Sequence, residues 1–310
     1  MNAILDELTR QYVARAPHMR ETGLRITGID IARGSMSLPA RPEWLGDPGR
    51  GLLHTGVLTV LADSTCGLAV GAAMAQRAPY ATLDLRMDWL RPAGPDHPVH
   101  CEAHCYRISR SVAFVRGEVW QTDRSQPIAT VQATFMLATP AGPQRASQLA
   151  ETALPAVAPG EPAPADGAWQ APAGGEPVLP DNPVPYIEFL GIREVPGGDV
   201  PMLRLPYQAK LIGNPHLPAL HGGVIAGFAE TAALLHLVKT LGGAKLPKGI
   251  NFSIDYLRTG RPVATFAQCQ LVRVGARVAL VQVRCWQSSP DKPIAVARGH
   301  FLLTESQPQA

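Results

Sequence analysis

The chain has 310 residues, of which 46% are apolar and 17% are charged, and its net charge at pH 7 is +3. Such a composition provides a sizeable buried core and argues against disorder. The small, scattered charge argues against nucleic acid and membrane surfaces as partners, and we expect neither. Five irregularly spaced cysteines predict no disulfide framework, and the first ten residues lack the apolar core of a signal peptide, so a cytoplasmic location is expected.

The first 139 residues predict one long apolar helix followed by consecutive strands. The predicted elements are a helix over 4–14, a strand near 33–38, a helix over 56–76, and strands over 112–120 and 128–137. The long helix has enough apolar residues to span a membrane, but Asp63 lies near its middle. Because a charge at mid-span is costly in lipid, a helix buried in a protein core is favoured.

Residues 140–183 are rich in Pro, Ala and Gly and show no hydrophobic period, which predicts a mostly unstructured linker. Residues 184–310 then repeat the earlier order of elements. The repeated elements are a helix over 186–190, a strand over 201–205, a helix over 222–241, and strands over 278–286 and 294–303. One helix followed by several strands is typical of an α+β unit with an antiparallel sheet.

The two copies keep their register residue by residue. Adding 167 to the positions of Asp47-Pro48, His54, Gly56-Val57, Asp63 and Asp88-Trp89-Leu90-Arg91 gives Asn214-Pro215, His221, Gly223-Val224, Glu230 and Asp255-Tyr256-Leu257-Arg258. After a one-residue slip, Trp120 corresponds to Trp286 at an offset of 166. A register held over this length indicates an internal duplication.

Each long helix begins with a short motif that suits the binding of an oxyanion. The first N–H groups of a helix have no intrahelical acceptor, and they lie at the positive end of the helix dipole. His221-Gly222-Gly223 places small residues there, whereas His54-Thr55-Gly56 places a threonine first. Close packing at a tight turn is the alternative role for these glycines.

One acid follows each motif histidine by nine residues, Asp63 in the first copy and Glu230 in the second. This spacing corresponds to about 13 Å along a helix, so neither acid reaches the N-terminus of its own helix. Each acid would reach the other helix's N-terminus if the two helices lie antiparallel about a pseudo-two-fold axis. Two sites between the copies are therefore predicted. A paired structural charge is the alternative, and the recurrence of the acid disfavours it.

These segments resemble the hotdog-fold acyl-CoA thioesterases of the phenylacetate-pathway type. The resemblance is carried by Leu53-His54-Thr55-Gly56-Val57, Leu61-Ala62-Asp63-Ser64, Thr82-Leu83-Asp84-Leu85, Trp89-Leu90-Arg91-Pro92, Leu220-His221-Gly222-Gly223-Val224 and Glu230-Thr231-Ala232. It implies an α+β double hotdog, in which two antiparallel sheets each wrap on a central helix and the copies form an intramolecular pseudo-dimer. It also implies hydrolysis of acyl-CoA thioesters by a homo-oligomer of the two-repeat chain.

The resemblance also implies roles for particular residues. Asp63 and Glu230 would act as general base or as nucleophile, and the sequence leaves both mechanisms open. The oxyanion donor would be the N–H at Gly222, or at Thr55 in the first copy. Assisting and loop-shaping residues would be Asn214, Thr82, His54 and His221. No metal or redox cofactor is expected, and coenzyme A would enter as part of the substrate.

The assisting residues are shared unevenly between the two copies. Asp47 occupies the asparagine position in the first copy, and Gly249 occupies the Thr82 position in the second. A carboxylate near an oxyanion and a missing hydroxyl would both weaken one site. We therefore predict that the Asp63 site performs most of the catalysis and that the Glu230 site is weak or silent.

Two other functions remain open from the sequence. One is a hotdog hydratase or dehydratase that acts on enoyl or hydroxyacyl thioesters. The other is a non-catalytic acyl-CoA-binding module. A metal site in the His- and Cys-rich segment 97–105 is disfavoured, because residues four apart on a strand are about 13 Å apart.

Overall fold

The computed structural model describes residues 2–75, 78–138, 172, 174–179, 181–196, 201–214, 218–242 and 245–305. The first copy consists of α1 (Asn2–Tyr12), α2 (Pro17–Thr22), β1 (Arg25–Asp30), β2 (Arg33–Leu38), a 3-10 turn (Pro42–Trp44), β3 (Leu45–Asp47), a second 3-10 turn (Pro48–Arg50), β4 (Leu52–Leu53), α3 (Thr55–Ala73), β5 (Tyr80–Trp89), β6 (Val99–Ile108), β7 (Val112–Trp120) and β8 (Ala129–Leu137).

The second copy consists of β9 (Glu176–Pro177), α4 (Pro185–Leu190), β10 (Arg193–Val195), β11 (Met202–Leu205), a 3-10 turn (Ala209–Leu211), β12 (Ile212–Asn214), β13 (Ala219–Leu220), α5 (Gly222–Thr240), β14 (Lys245–Tyr256), β15 (Thr265–Val274), β16 (Val278–Trp286) and β17 (Ala295–Glu305). The long helices and the late strands of both copies therefore lie where the sequence predicts them.

The two copies share one continuous antiparallel sheet. Its thirteen strands follow the order β1-β2-β6-β7-β8-β5-β14-β17-β16-β15-β11-β10-β9. The copies join where β5 pairs with β14, with Met87 opposite Phe252 and Leu85 opposite Ile254. All four side chains are buried. Alternation along a strand places such residues on one face, so the core runs across the junction without interruption.

The long helices α3 and α5 are apolar on all sides and lie buried within the fold. Both have the length and apolar composition of a membrane span, and most of each helix is covered by protein in this structure. A helix that is apolar all round is typical of a protein core. The side chains of His54 and His221 accept hydrogen bonds from Gly56 and Gly223 and so cap the two N-termini.

The two long helices lie side by side and antiparallel, as predicted. A Cβ atom built on Gly223 would lie 2.6 Å from the Cα atom of Val60, and one built on Gly56 would lie 2.9 Å from the Cα atom of Gly227. The glycines therefore allow the backbones to approach closely at two points related by the pseudo-symmetry. This crossing brings the N-terminus of each helix beside the middle of the other.

A short helix of each copy packs on the loop that precedes the long helix of the other copy. Helix α2 contacts β12 and the turn Ala209–Leu211, while α4 contacts β3 and the turn Pro42–Trp44. Both helices have proline in the first turn and end at a glycine with positive φ, Gly23 at 72° and Gly191 at 70°. The counterpart of α4 is thus α2, and the predicted equivalence of α4 with the helix over 4–14 is wrong.

Part of the segment 140–183 belongs to the second copy's sheet. Strand β9 pairs with β10, and Val178 is buried. Most of the remaining predicted linker lies outside the described residues.

Candidate functional site

The carboxylate of Asp63 lies against the N-terminus of α5. Its Oδ2 atom accepts a hydrogen bond from the backbone N–H of Gly223 at 2.9 Å. Its Oδ1 atom accepts one from the hydroxyl of Thr82 on β5, also at 2.9 Å. The residue is 6% exposed. Two charge-assisted hydrogen bonds, one from each copy, therefore fix the orientation of this carboxylate.

Gly222 has no side chain, and the carboxylate of Asp63 lies where a side chain would begin. A Cβ atom built on Gly222 would lie 2.9 Å from Asp63 Oδ2 and 3.4 Å from the hydroxyl of Tyr256. The Tyr256 hydroxyl donates a hydrogen bond to the Gly222 carbonyl at 2.8 Å and so holds this peptide. Because Gly222 is the first residue of α5, no intrahelical carbonyl is positioned to accept from its N–H. This N–H is suited to a ligand oxygen at the positive end of the helix.

The two motif histidines are tied to the helices through both ring nitrogens. His221 Nδ1 accepts from Gly223 N–H at 3.0 Å, and its Nε2 lies 3.1 Å from Ser64 Oγ. In the other copy, His54 Nδ1 accepts from Gly56 N–H at 2.9 Å, and its Nε2 lies 3.3 Å from the Thr231 hydroxyl. Burial lowers the pKa of both rings, that of His54 to about 4. Neutral histidines thus join the start of each helix to the other helix.

Ser64, His221 and Asp63 resemble a serine-hydrolase triad by proximity, since His221 Nδ1 also lies 3.4 Å from Asp63 Oδ2. The ring proton of His221 is nevertheless on the opposite nitrogen from the one that carries it in such a triad. Because His221 Nδ1 accepts the Gly223 N–H, the ring proton resides on Nε2 and faces Ser64. A ring in this tautomer cannot remove the serine proton, so the cluster does not activate Ser64 as a nucleophile.

The second acid, Glu230, has different surroundings. Its Oε1 atom accepts a hydrogen bond from the Trp89 indole N–H at 3.1 Å. Its Oε2 atom has no hydrogen-bond partner among the described residues, and the side chain is 1% exposed. Burial raises the pKa of Glu230 to about 8, against smaller opposing effects of the Thr55 and Trp89 side chains. This carboxyl is therefore mostly neutral at pH 7.

The residues at the positions that surround Asp63 are different around Glu230. Thr55 occupies the Gly222 position; the residue is half-buried and its hydroxyl oxygen is buried, so a side chain lies at this helix N-terminus. Gly249 occupies the Thr82 position, and a Cβ atom built on it would lie 2.8 Å from the Trp89 ring. The indole thus occupies the space beside Gly249.

Asn214 and Asp47 lie at matching positions on the loops that precede the long helices. Asn214 ends β12 with an exposed side chain, while the neighbouring Gly213 packs against the Cα atom of His221. Asp47 accepts hydrogen bonds from the backbone N–H of Arg50 at 3.1 Å and from its Nε atom at 2.6 Å. The charge of Asp47 is therefore paired within its own turn, so the predicted repulsion of an oxyanion by this carboxylate has no support in the structure.

A family model described as the thioesterase superfamily matches residues 50–128 and 217–294. The two segments cover half of the chain, and each contains one long helix with its acid. The chain belongs to the thioesterase superfamily. No curated protein sequence matches it.

Several solved structures have a similar fold and align with nearly the whole of this chain. A candidate thioesterase of Novosphingobium aromaticivorans is 15% identical, with a TM-score of 0.60 over 90% of this chain and 98% of that one. The acyl-CoA thioesterase II of Mycobacterium marinum is 13% identical, with a TM-score of 0.59 over 94% and 98%. A hotdog-fold protein of Alicyclobacillus acidocaldarius is 16% identical, with a TM-score of 0.58 over 92% and 97%. These likenesses confirm the predicted double-hotdog fold.

Four residues of the thioesterase-superfamily site were not predicted from the sequence. Gly223, rather than Gly222, donates its N–H to Asp63, and Ser64 is the partner of His221. Tyr256 and Trp89 occupy the same place in the repeated Asp-aromatic-Leu-Arg motif, yet Tyr256 contacts Gly222 and Trp89 contacts Glu230. The recurrence of that motif is the signal that could have identified Tyr256 and Trp89.

Proposed function

We propose that the protein hydrolyses acyl-CoA thioesters to a free acid and coenzyme A, and that the Asp63 site performs the reaction. The observation that carries this proposal is the pairing of an oriented carboxylate from one copy with the N-terminus of the long helix of the other copy. The acid comes from α3, and the facing Gly222 N–H comes from α5. Acyl transfer requires a base or nucleophile and an oxyanion donor on the same thioester carbon.

In the proposed reaction, the thioester carbonyl oxygen accepts the Gly222 N–H, and Asp63 takes a proton from a water molecule. The water oxygen attacks the carbonyl carbon, and negative charge develops on the oxygen that faces the helix N-terminus. Collapse of this intermediate breaks the C–S bond, and the thiolate takes the proton back from Asp63. Thr82 and the Gly223 N–H keep the carboxylate in place throughout.

Direct attack by the Asp63 carboxylate remains the second route within the same function. It would give a mixed anhydride that water then hydrolyses. Hydrolysis in water enriched in oxygen-18 under single-turnover conditions separates the routes. Attack by water on the thioester carbon labels only the released acid, whereas attack by Asp63 followed by hydrolysis of the anhydride at the Asp63 carbonyl leaves the acid unlabelled and places the label in Asp63.

Release of free thiol from a panel of acyl-CoA thioesters tests the proposed function. We expect purified protein to release coenzyme A from at least one short or medium acyl-CoA, measured with a thiol-reactive dye. Crotonyl-CoA should be included, because a hydratase would add water to it and leave the thioester intact. Water addition without thiol release would favour the hydratase, and binding without any turnover would favour an acyl-CoA-binding module.

Thr82→Val should lower kcat by roughly 10- to 100-fold. A hydrogen bond to a charged group contributes about 1.5–3 kcal/mol, and valine keeps the shape of threonine without the hydroxyl. Steady-state kinetics with the best substrate of the panel would measure the effect. Thr82→Ser, which keeps the hydroxyl, is the matched control and should retain most of the rate. Equal losses in both variants would show that packing, rather than the hydrogen bond to Asp63, is what matters at this position.

A further inference from the structure

One backbone N–H at the Asp63 site lies between two hydrogen-bond acceptors. The Gly223 nitrogen is 2.9 Å from Asp63 Oδ2 and 3.0 Å from His221 Nδ1. The two acceptor atoms are themselves 3.4 Å apart. Both residues are buried, so neither acceptor is solvated in place of the shared donor. A single N–H proton therefore divides its hydrogen bond between a carboxylate oxygen and a ring nitrogen.

His221 presents a lone pair, and not a proton, to Asp63. Burial lowers the pKa of the ring, and the charge of Asp63 opposes this by a smaller amount. The one proton of the neutral ring is on Nε2, which lies 3.1 Å from Ser64 Oγ, so Nδ1 has none. Two acceptors at such a separation repel each other until a proton enters between them, as in carboxyl pairs that share one proton.

The second site lacks this contact. His54 Nδ1 accepts a hydrogen bond from the Gly56 N–H at 2.9 Å, as His221 does from Gly223. Glu230 bonds to the Trp89 indole instead, and in the part of the chain that the structure describes no hydrogen bond or ion pair joins Glu230 to His54. Capping of the helix by the histidine therefore does not in itself require contact with an acid.

Other titratable groups that face the pair are uncharged at neutral pH. They come from α1, α2, α3, β5 and β14 and are Tyr12, His18, Cys66, Tyr80 and Tyr256. Burial raises the pKa of the three tyrosines and of the cysteine, and it lowers the pKa of the histidine. A proton that arrives at the pair is therefore attracted by the charge of Asp63 and is not repelled by a cation among these groups.

We propose that His221 Nδ1 shares with Asp63 Oδ2 the proton that Asp63 removes from the attacking water. This inference rests on the proposed thioester hydrolysis. An O–H bond of the water breaks, its proton binds to Oδ2, and the water oxygen bonds to the thioester carbon. Rotation about the C–Oδ2 bond directs the new O–H to Nδ1, while Oδ2 still accepts the Gly223 N–H. The proton then leaves Oδ2 for the thiolate when the C–S bond breaks.

Sharing of this proton makes Asp63 a stronger base. Protonation converts a repulsive contact between two acceptors into a hydrogen bond, and the acid form of the pair is thereby stabilised. His221 acts on the reaction only through Asp63, so it is a positioning residue. Loss of the Nδ1 lone pair should weaken the base and allow Asp63 to keep its charge at lower pH.

Two amide variants separate the role of Nδ1 from that of the rest of the ring. His221→Asn places an oxygen at the Nδ1 position and still caps the helix, whereas His221→Gln carries its oxygen one bond further, toward the Nε2 position. In His221→Gln we expect the acidic limb of kcat/KM to move down by about 0.5–1 pH unit and kcat to fall roughly three- to tenfold. His221→Asn should restore the limb and most of the rate. A slower His221→Gln enzyme whose acidic limb has not moved would show a merely structural role and overturn the inference.

A measurement without turnover keeps this inference separate from the proposed function. In protein labelled with nitrogen-15 histidine, the Nδ1 resonance of His221 is assigned by its absence in His221→Asn. This resonance should shift over the pH range in which Asp63 takes up a proton, and Asp63→Asn should lack that step. The same step in Asp63→Asn, or no step in the wild type, would overturn the inference. A wild-type protein that shows the step and releases no thiol would instead refute the proposed hydrolysis.

Discussion

Asp63→Asn should lower kcat at least about 100-fold, whereas Glu230→Gln should change kcat by less than about twofold at pH 7. General-base catalysis typically contributes roughly 10²- to 10⁴-fold, and asparagine keeps the size of Asp63 without its basicity. Glu230 is buried, and its raised pKa of about 8 leaves it mostly protonated at neutral pH. A protonated carboxyl is neither a base nor a nucleophile, so its replacement by an amide removes little.

Steady-state kinetics of the two variants beside the wild type would measure this asymmetry. Both substitutions conserve size, and the amide introduced by Glu230→Gln would still offer an oxygen to the Trp89 indole, so melting curves should show that both variants fold. The asymmetry would be refuted if Glu230→Gln were the inactivating change. It would also be refuted if each variant kept half of the activity, because that result requires two equivalent sites.

The physical origin of the asymmetry differs from the one that the sequence suggested. The sequence placed the Asp47 charge near the oxyanion of the Glu230 site, but Asp47 is paired with Arg50 within its own turn. Steric and hydrogen-bonding differences remain. Gly222 presents no side chain beside Asp63, whereas Thr55 presents one at the matching position of the other site. The unevenness is therefore one of shape and desolvation more than of Coulomb repulsion.

The long helices and late strands could be predicted because their signals are local and occur twice. An apolar stretch that begins with histidine and small residues predicts a buried helix in both copies. Strands β7 and β16 were predicted at Val112–Trp120 and Val278–Trp286, and the structure has the same bounds. The antiparallel packing of α3 and α5 followed from a length argument. Each acid is about 13 Å from the N-terminus of its own helix, so only the N-terminus of the other helix can lie beside it.

Contacts between the copies could not be predicted, because sequence spacing within a copy carries no information on them. The hydrogen bond from Gly223 to Asp63 joins residues 160 positions apart, and that from Trp89 to Glu230 joins residues 141 apart. The short helix α2 was missed for another reason. The helix over 4–14 was predicted as the counterpart of α4, and the six residues from Pro17 to Thr22 show no helical period of their own.

Glu230→Gln should also make the protein more stable at alkaline pH than the wild type, by an amount that grows with pH. Below about pH 4.5, the ordinary pKa of a glutamate, the carboxyl is protonated in both the folded and the unfolded chain. Between that value and about pH 8, only the unfolded chain releases the proton. The free energy of unfolding of the wild type therefore falls by about 1.4 kcal/mol per pH unit across this window.

The total loss is on the order of 5 kcal/mol at pH 8 and above, which is a large part of the stability of an ordinary domain. Chemical denaturation of wild type and Glu230→Gln between about pH 4.5 and 8.5 would measure it as a difference, so that other titrating groups cancel. Glu118→Gln, on the exposed face of β7, is the control for removal of a carboxyl group. Its difference from the wild type in free energy of unfolding should not increase with pH as that of Glu230→Gln does. A Glu230→Gln difference that is constant across the same window would show that Glu230 is already ionised in the folded protein. In that case its charge would be available at neutral pH, and the weakness of the second site would depend on Thr55 and Trp89 alone.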